Sequence, residues 1–394
     1  MENDTKITPQ SLWGIVLIAG FISFPLMLIL LVATILRDQQ PASRQTRYMV
    51  YVLLGIGIGY INTTKPPAFS DLGYYYWLYN WASTKSFEEY VAVIPKEPAY
   101  FIYNYLMGYI TFGNFNLFMI LTTVGMYFPV MISFDRIIRK NDIPVNNAIA
   151  AAIILACFSE YFFYSAQIVR QVLAGSIAFY FVVRMAYEGD KLSYIGLVCA
   201  GLIHASAFIF CIYYILQFII NWRLKYKIIV IVASFVLFGF IVGIIASLSD
   251  AESTLAYAAN RAQTGAGDKI TIGFLPLAVC FSIIPMSLLT MWETGWDKQL
   301  SNILILGVFL VGFVFINAST PLFVLRFMEY CYIYLPLCVV LFFYFLGREK
   351  LTNVVMLIVL LRFAVLLNKG AFHYESFGSL CLEGYPLMLI RIFS

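Results

Sequence analysis

The sequence predicts an all-α fold, a polytopic transmembrane helical bundle, and three observations carry the prediction. Of 394 residues, 62% are hydrophobic and only 12% charged, about half the charged share of an ordinary soluble domain. The apolar residues come in long blocks, each near the roughly 20 residues a helix needs to cross the hydrocarbon core. The segments of about ten residues with alternating polarity that would build a membrane barrel are missing. Length would allow two or three soluble domains, but there is too little polar surface to solvate them. Residues 1–394 are therefore expected to form a single transmembrane domain, with about 11–13 membrane segments of the usual length.

Along the chain, the apolar blocks fall at 11–36, 48–62, 115–134, 147–165, 171–187, 228–248, 271–292, 300–317, 322–346 and 353–368. The first is too long for a signal-peptide core and lacks a small-residue cleavage site, so it is expected as a retained span. Two further stretches are resolved by the excess of Lys and Arg in cytoplasmic loops. With Arg37, Arg44 and Arg47 in the cytoplasm, loop 63–97 lies outside. The next basic connection, Arg136, Arg139 and Lys140, is cytoplasmic only if 98–112 and 115–134 make one net crossing. Residues 98–112 are thus expected as an interfacial or re-entrant helix on the outer side. Arg184 and Lys191 precede 193–220, and Arg223, Lys225 and Lys227 follow it. Both clusters belong in the cytoplasm, so 193–220 should enter and return as two half-helices with His204 near the turn. Irregular backbone at membrane depth survives only inside protein or beside a wet cavity, which puts His204 at a cavity reached from outside. Residues 249–270 make a second external loop.

Several functions are excluded by what is missing. The net charge of +4 is scattered, and no basic run interleaved with aromatics suggests nucleic acid. The seven cysteines are odd in number, lack a CxxC pair and sit mostly in apolar stretches, as small buried hydrophobes. The two histidines, His204 and His373, stand far apart without a metal-ligand motif. No metal or cofactor is expected.

The polar residues that remain gather on one side of this map. Asp71 lies in an aromatic run with Tyr75, Tyr76 and Trp77; Glu97-Pro98, Glu160, Arg170-Gln171, His204, Arg261 and Arg326 follow, with Glu329 one turn beyond Arg326. Each has a plain alternative. The aromatics suit an interfacial belt, Asp71 a helix cap and His204 a satisfied core position. Arg170 suits snorkelling to the interface, and Arg326 an internal salt bridge to Glu329. Yet an arginine inside a span costs several kcal/mol unless it is paired or faces water, and these groups converge on one compartment. The planar guanidinium fork fits a diphosphate, which assigns Arg170, Arg326 and Arg261 to that group. A carboxylate or imidazole suits removal of a proton from a sugar hydroxyl, so His204 or Asp71 is the expected base, with His204 narrowly favoured. Tyr75, Tyr76 and Trp77 offer a surface on which sugar rings would stack. Together these parts describe transfer of a sugar chain from a membrane-anchored diphosphate to another sugar.

A wider pattern supports that chemistry. Asp71 with its tyrosines, Glu97-Pro98-x-Tyr100, Ser165-x-x-x-x-Arg170-Gln171-x-x-Ala174, His204-x-Ser206-Ala207 and Arg326-Phe-x-x-Tyr330 before Pro336 occur in an order and spacing that resembles the EpsG family. That family stands with the Wzy-type polymerases of bacterial exopolysaccharide and O-antigen synthesis. The resemblance covers about residues 48–340; Ala99 stands where glycine would be expected. It implies a glycosyltransferase of the polytopic GT-C kind in the bacterial inner membrane, with its active site facing the periplasm. Its substrate would be an oligosaccharide on undecaprenyl diphosphate, with a chain-length regulator as a further partner. Asp71, Arg170, His204 and Arg326 fall on matching motif positions, and Gln171, Tyr330 and Glu97 join the aromatics as expected sugar contacts. The competing readings are a flippase or secondary transporter and an O-antigen ligase. The lack of internal repeats and the one-sided polar residues speak against a transporter.

Overall fold

The structure, a computed structural model, describes residues 9–37, 42–66, 71–92, 97–219, 221–222, 226, 229, 233, 274–316, 321–370 and 374. It is helical, with no strand among these residues. The first apolar block is not one helix. It divides into α1 (Pro9–Ile22) and α2 (Phe24–Leu36), with Ser23 extended between them at φ −155° and ψ 128°. Pro25 lies in the first turn of α2. Its nitrogen has no hydrogen to donate and its ring crowds the preceding turn, so a continuous helix stops ahead of it.

α3 (Arg44–Thr63) and α7 (Phe115–Lys140) pack extensively against each other. Their N-termini are capped by Ser43, which accepts from the Thr46 N–H, and by Asn114, which accepts from the Leu117 N–H. Gly55 and Gly59 let the two backbones meet. A Cβ at Gly59 would lie 2.8 Å from Ile120 Cα, and one at Gly55 3.1 Å from Val124 Cα. Close approach through small residues four apart is how helices gain packing where lipid removes the hydrophobic drive. Near the far end, Arg47 is buried and donates from Nε to Asp135 Oδ1 at 2.5 Å and from Nη1 to the Ala42 carbonyl at 2.6 Å. Arg139 holds the other Asp135 oxygen at 2.8 Å.

Between α3 and α7 the chain makes α4 (Leu72–Thr84), α5 (Phe87–Ala92) and α6 (Pro98–Ile110). At 13 residues, α6 is about 20 Å long, short of the roughly 30 Å core. It leaves Leu106, Tyr109 and Ile110 exposed. α8 (Asn146–Cys157) and α9 (Ser159–Gln167) are bent by 58° at Phe158, and α10 (Val169–Glu188) follows. α11 (Lys191–Ile203) leads to His204, then a 3₁₀ helix (Ala205–Cys211) and α12 (Ile212–Phe218). These two arms fold back on each other. The rings of Tyr194 and Tyr214 stack at 5.2 Å and the Tyr214 hydroxyl donates to the Tyr194 carbonyl, while Gln217 ties α12 to α10 by donating to the Met185 carbonyl. α13 (Phe274–Glu293), α14 (Lys298–Ile316), α15 (Pro321–Phe345) and α16 (Glu349–Asn368) complete the bundle.

Among the described residues six helices are long and apolar enough to cross a membrane (α7, α10 and α13 to α16), or seven with the bent α8–α9 pair counted as one. The chain is a multi-pass membrane protein. The expected span 228–248 lies almost wholly, and loop 249–270 wholly, outside the described residues. One end of the bundle collects basic residues: Arg136 pairs with Glu188 at 3.0 Å, Arg184 with Asp190, and Lys298 donates to Asn221 at 2.8 Å. The other end holds α4 to α6, α9 and His204.

Removing one partner of a buried ion pair strands the other charge, at a cost of about 3–5 kcal/mol. Asp135→Asn should therefore lower the thermal unfolding temperature in detergent markedly. The double variant Arg47→Met/Asp135→Leu should recover much of that loss.

Candidate active site

The site is built around the residue ahead of a proline. Glu97 precedes Pro98, the first residue of α6, and its backbone is left-handed at φ 58° and ψ 56°. A side-chain-bearing residue seldom occupies that region, and holding it there costs of order 1–3 kcal/mol. The result is a carboxylate placed between two other elements. Its Oε2 accepts from Arg170 Nη1 at 2.5 Å, and its Oε1 lies 3.5 Å from His204 Nε2. The three side chains are 14% (Glu97), 24% (Arg170) and 14% (His204) exposed, so the cluster is enclosed yet reachable.

His204 caps the 3₁₀ helix at the tip of the two arms. Its Nδ1 accepts from the Ser206 N–H at 3.3 Å and lies 2.6 Å from Ser206 Oγ, which is 2.5 Å from the Tyr330 hydroxyl. With Nδ1 accepting a backbone hydrogen bond, the neutral ring carries its proton on Nε2, toward Glu97. Arg170 sits in the second position of α10 among three tyrosines, 5.6 Å from the ring centre of Tyr74 and 5.7 Å from those of Tyr75 and Tyr100. Its Nε is buried without a hydrogen-bond partner among the described residues. A stranded buried donor costs about 1–3 kcal/mol, which a phosphate oxygen would relieve. Arg326 approaches from α15, and the charges of both arginines act on the His204 ring.

The structure thus brings Glu97, Arg170, His204 and Arg326 together from four separate elements. It places the other expected residues differently. Asp71 heads α4, exposed and capping nothing, with its charge acting on Tyr75 and Lys65. That is the rim of the site. Tyr75 is buried against Arg170 and Tyr100; burial pushes its hydroxyl pKa up, and Arg170 pulls it part of the way back. Tyr76, one residue on, turns to the side and meets Phe115 edge-on at 5.0 Å. It is not part of the cluster, because successive helical residues point about 100° apart. Trp77 is exposed and stacks on Trp81 at 5.7 Å and 6°.

Gln171 and Tyr330, expected at the sugar, are buried inside the bundle. Gln171 donates to the Arg326 carbonyl, and Tyr330 supports Ser206 and packs where a Cβ on Gly175 would meet its ring at 2.5 Å. Both position other residues rather than face a ligand. Glu329 forms no salt bridge with Arg326: both its oxygens are buried without a hydrogen-bond partner among the described residues. Arg261 lies outside them.

Sequence reasoning missed Tyr74 as a neighbour of Arg170, Ser206 as the partner of His204, and Lys65. Tyr100 and Ser206 stood in the quoted motifs, but nothing local said what they would touch. Arg362 was also missed; it pairs with Glu160 from α16, while Ser159 bonds the same carboxylate at 2.6 Å. Lys65, just past the end of α3, is 2% exposed, with its ammonium over the rings of Phe163 at 4.8 Å and Tyr374 at 5.3 Å and no hydrogen-bond partner among the described residues.

The chain matches the profile of the EpsG family over residues 48–377. The chain belongs to the EpsG family. No curated protein and no solved structure matches it. The EpsG family is associated with polysaccharide polymerases, so this is a membrane protein of polysaccharide biosynthesis with a polymerase-type role. The EpsG match begins within α3 and runs past α16, so Glu97, Arg170, His204 and Arg326 all fall inside it, while α1 and α2 do not.

Burial lowers the Lys65 pKa from its ordinary 10.5 to about 8, with Asp71 opposing the shift. The unfolded chain then binds the proton more tightly than the folded one, so stability rises with pH between about 8 and 10.5 and is lowest below that window. Lys65→Met should flatten this rise in thermal unfolding followed across that range.

Proposed function

We propose that this protein lengthens a polysaccharide by joining oligosaccharide units carried on undecaprenyl diphosphate, at the periplasmic face of the bacterial inner membrane. The observation that carries the reading is the Glu97 carboxylate held between Arg170 and His204 in a pocket walled by tyrosines. The basic residues at the opposite end of the bundle support the sidedness, since Lys and Arg favour cytoplasmic loops.

A diphosphate competes with Glu97 for the Arg170 fork, and Arg170 Nε with the Arg326 guanidinium supplies the remaining donors. Once Arg170 turns to phosphate, Glu97 keeps its contact with His204 and becomes the base for the acceptor sugar. This moves the proton-accepting role to Glu97. Both His204 nitrogens already face protein groups, and Asp71 stands at the rim. The acceptor hydroxyl loses its proton to Glu97 while its oxygen attacks the anomeric carbon. The bond from that carbon to the diphosphate oxygen breaks, and the electron pair departs with the diphosphate. The two guanidiniums stabilise the charge as it develops. Tyr74, Trp77 and Trp81, at i, i+3 and i+7 of α4, form a partly exposed aromatic track leading away from Arg170, suited to stacking on sugar rings.

Purified protein in liposomes, given lipid-diphosphate repeat units, should yield a ladder of longer products. Arg170→Ala and Arg326→Ala should slow it by about 100-fold or more. Arg170→Lys should not restore it, because an ammonium lacks the fork. Glu97→Gln should fall by a similar factor, and Asp71→Asn should stay within about 10-fold of the parent, as a rim residue without proton transfer should. An undiminished ladder from correctly inserted Arg170→Ala would overturn the assignment. In cells, loss of a polymerase leaves a single unit on the final acceptor, loss of a flippase traps the lipid-linked unit inside, and loss of a ligase accumulates unattached polymer.

A further inference from the structure

The end of the bundle away from His204 contains a cavity of about 1040 Å³ that the proposed reaction does not use. The end of α2, the start of α8 and the turn between α15 and α16 line this half-open groove. Its charged lining is Arg348, Glu349 and Lys350, all three solvent-exposed, and none makes an ion pair with another described residue. Two positive charges and one negative leave a net +1. α8 and α16 both begin at this cavity, and neither first turn receives a side-chain cap, so the positive ends of two helix dipoles meet there. Glu349 occupies the first turn of α16, where its own helix favours a carboxylate.

The rest of the lining has the opposite character. Ile35, Leu36, Val354 and Leu357 form an apolar wall. Val354 continues into Ile358, Leu361 and Val365, an exposed apolar stripe along α16 that in a membrane protein faces lipid. A free inorganic anion would meet the cations and leave that wall unfilled. An occupant with one negative headgroup and a hydrocarbon tail answers both halves, and basic pockets between membrane helices are a recurrent setting for anionic headgroups.

We propose that this cavity holds an anionic glycerophospholipid, its phosphate against Arg348 and Lys350 and its acyl chain along Ile35, Val354 and Leu357. The site is separate from the Glu97 cluster and stands whether or not the reaction proposed above is correct. The test is titration of delipidated protein in detergent with phosphatidylglycerol, phosphatidylcholine or inorganic phosphate, followed by thermal unfolding and native mass spectrometry. Phosphatidylglycerol should raise the unfolding temperature saturably and remain bound in the spectrometer. Its apparent affinity should fall by about 10-fold or more in Arg348→Ala/Lys350→Ala, the scale two surface cations supply. Val354→Trp, which fills the apolar side without touching a charge, should weaken it as well and serves if the double variant does not fold. Equal stabilisation by phosphatidylcholine would overturn the proposal, as would undiminished phosphatidylglycerol binding in both variants. An equal shift from inorganic phosphate would make this a free-anion site and overturn the lipid assignment.

Discussion

A guanidinium taken out of water has to be answered by a carboxylate, and the Arg170–Glu97 pair meets that demand at the point where the chemistry is proposed. Arg170 belongs to a long packed helix, Glu97 stands immediately ahead of a short one, and His204 sits at the tip of two folded-back arms. One carboxylate joins all three. Because Glu97 is held in a left-handed conformation ahead of Pro98, its direction is set by backbone geometry as well as by its partners. A second ion pair, the fully buried Arg47–Asp135, secures one end of the α3–α7 contact, and either of its charges would be costly to strand.

Around these pairs the tyrosines do two jobs. Tyr74, Tyr75 and Tyr100 supply a π-rich wall that tolerates a cation with little water. Tyr330 and Gln171 work from beneath, one bracing Ser206 and the other holding the Arg326 backbone. The site is therefore braced from beneath around Glu97, Arg170 and His204, the groups proposed to serve the reaction. Along α4 it is open, where Tyr74 and Trp77 are exposed.

Much of the fold was legible because the bilayer allows few solutions. Long apolar blocks have to be helices whose backbone groups pair internally. The break at Ser23 was not foreseen, although Pro25 was visible, and neither was the bend between α8 and α9, where Phe158 carries no local signal. The candidate site was legible in part. Arg170, His204 and Arg326 were singled out because polar residues in apolar surroundings are expensive. Glu97, now at the centre, was given a lesser role. A glutamate before a proline at the end of a polar loop looks ordinary until α6, α10 and the His204 turn are seen to meet.

What the amino-acid sequence determined by itself was the solvent of this protein, the helical form of nearly every segment, and the set of polar residues too costly to bury without purpose. Those follow from the chemistry and order of the residues alone. Which of them touch was decided only by the tertiary structure. The distance from Glu97 to Arg170 spans α6 to α9, and that from Ser206 to Tyr330 spans α12 to α14, so no spacing along the chain encodes either contact. Packing alone closes such gaps: the Gly55–Gly59 seam, the 58° bend and the paired arms of α11 and α12 fix where each helix end arrives, and with it which charge meets which.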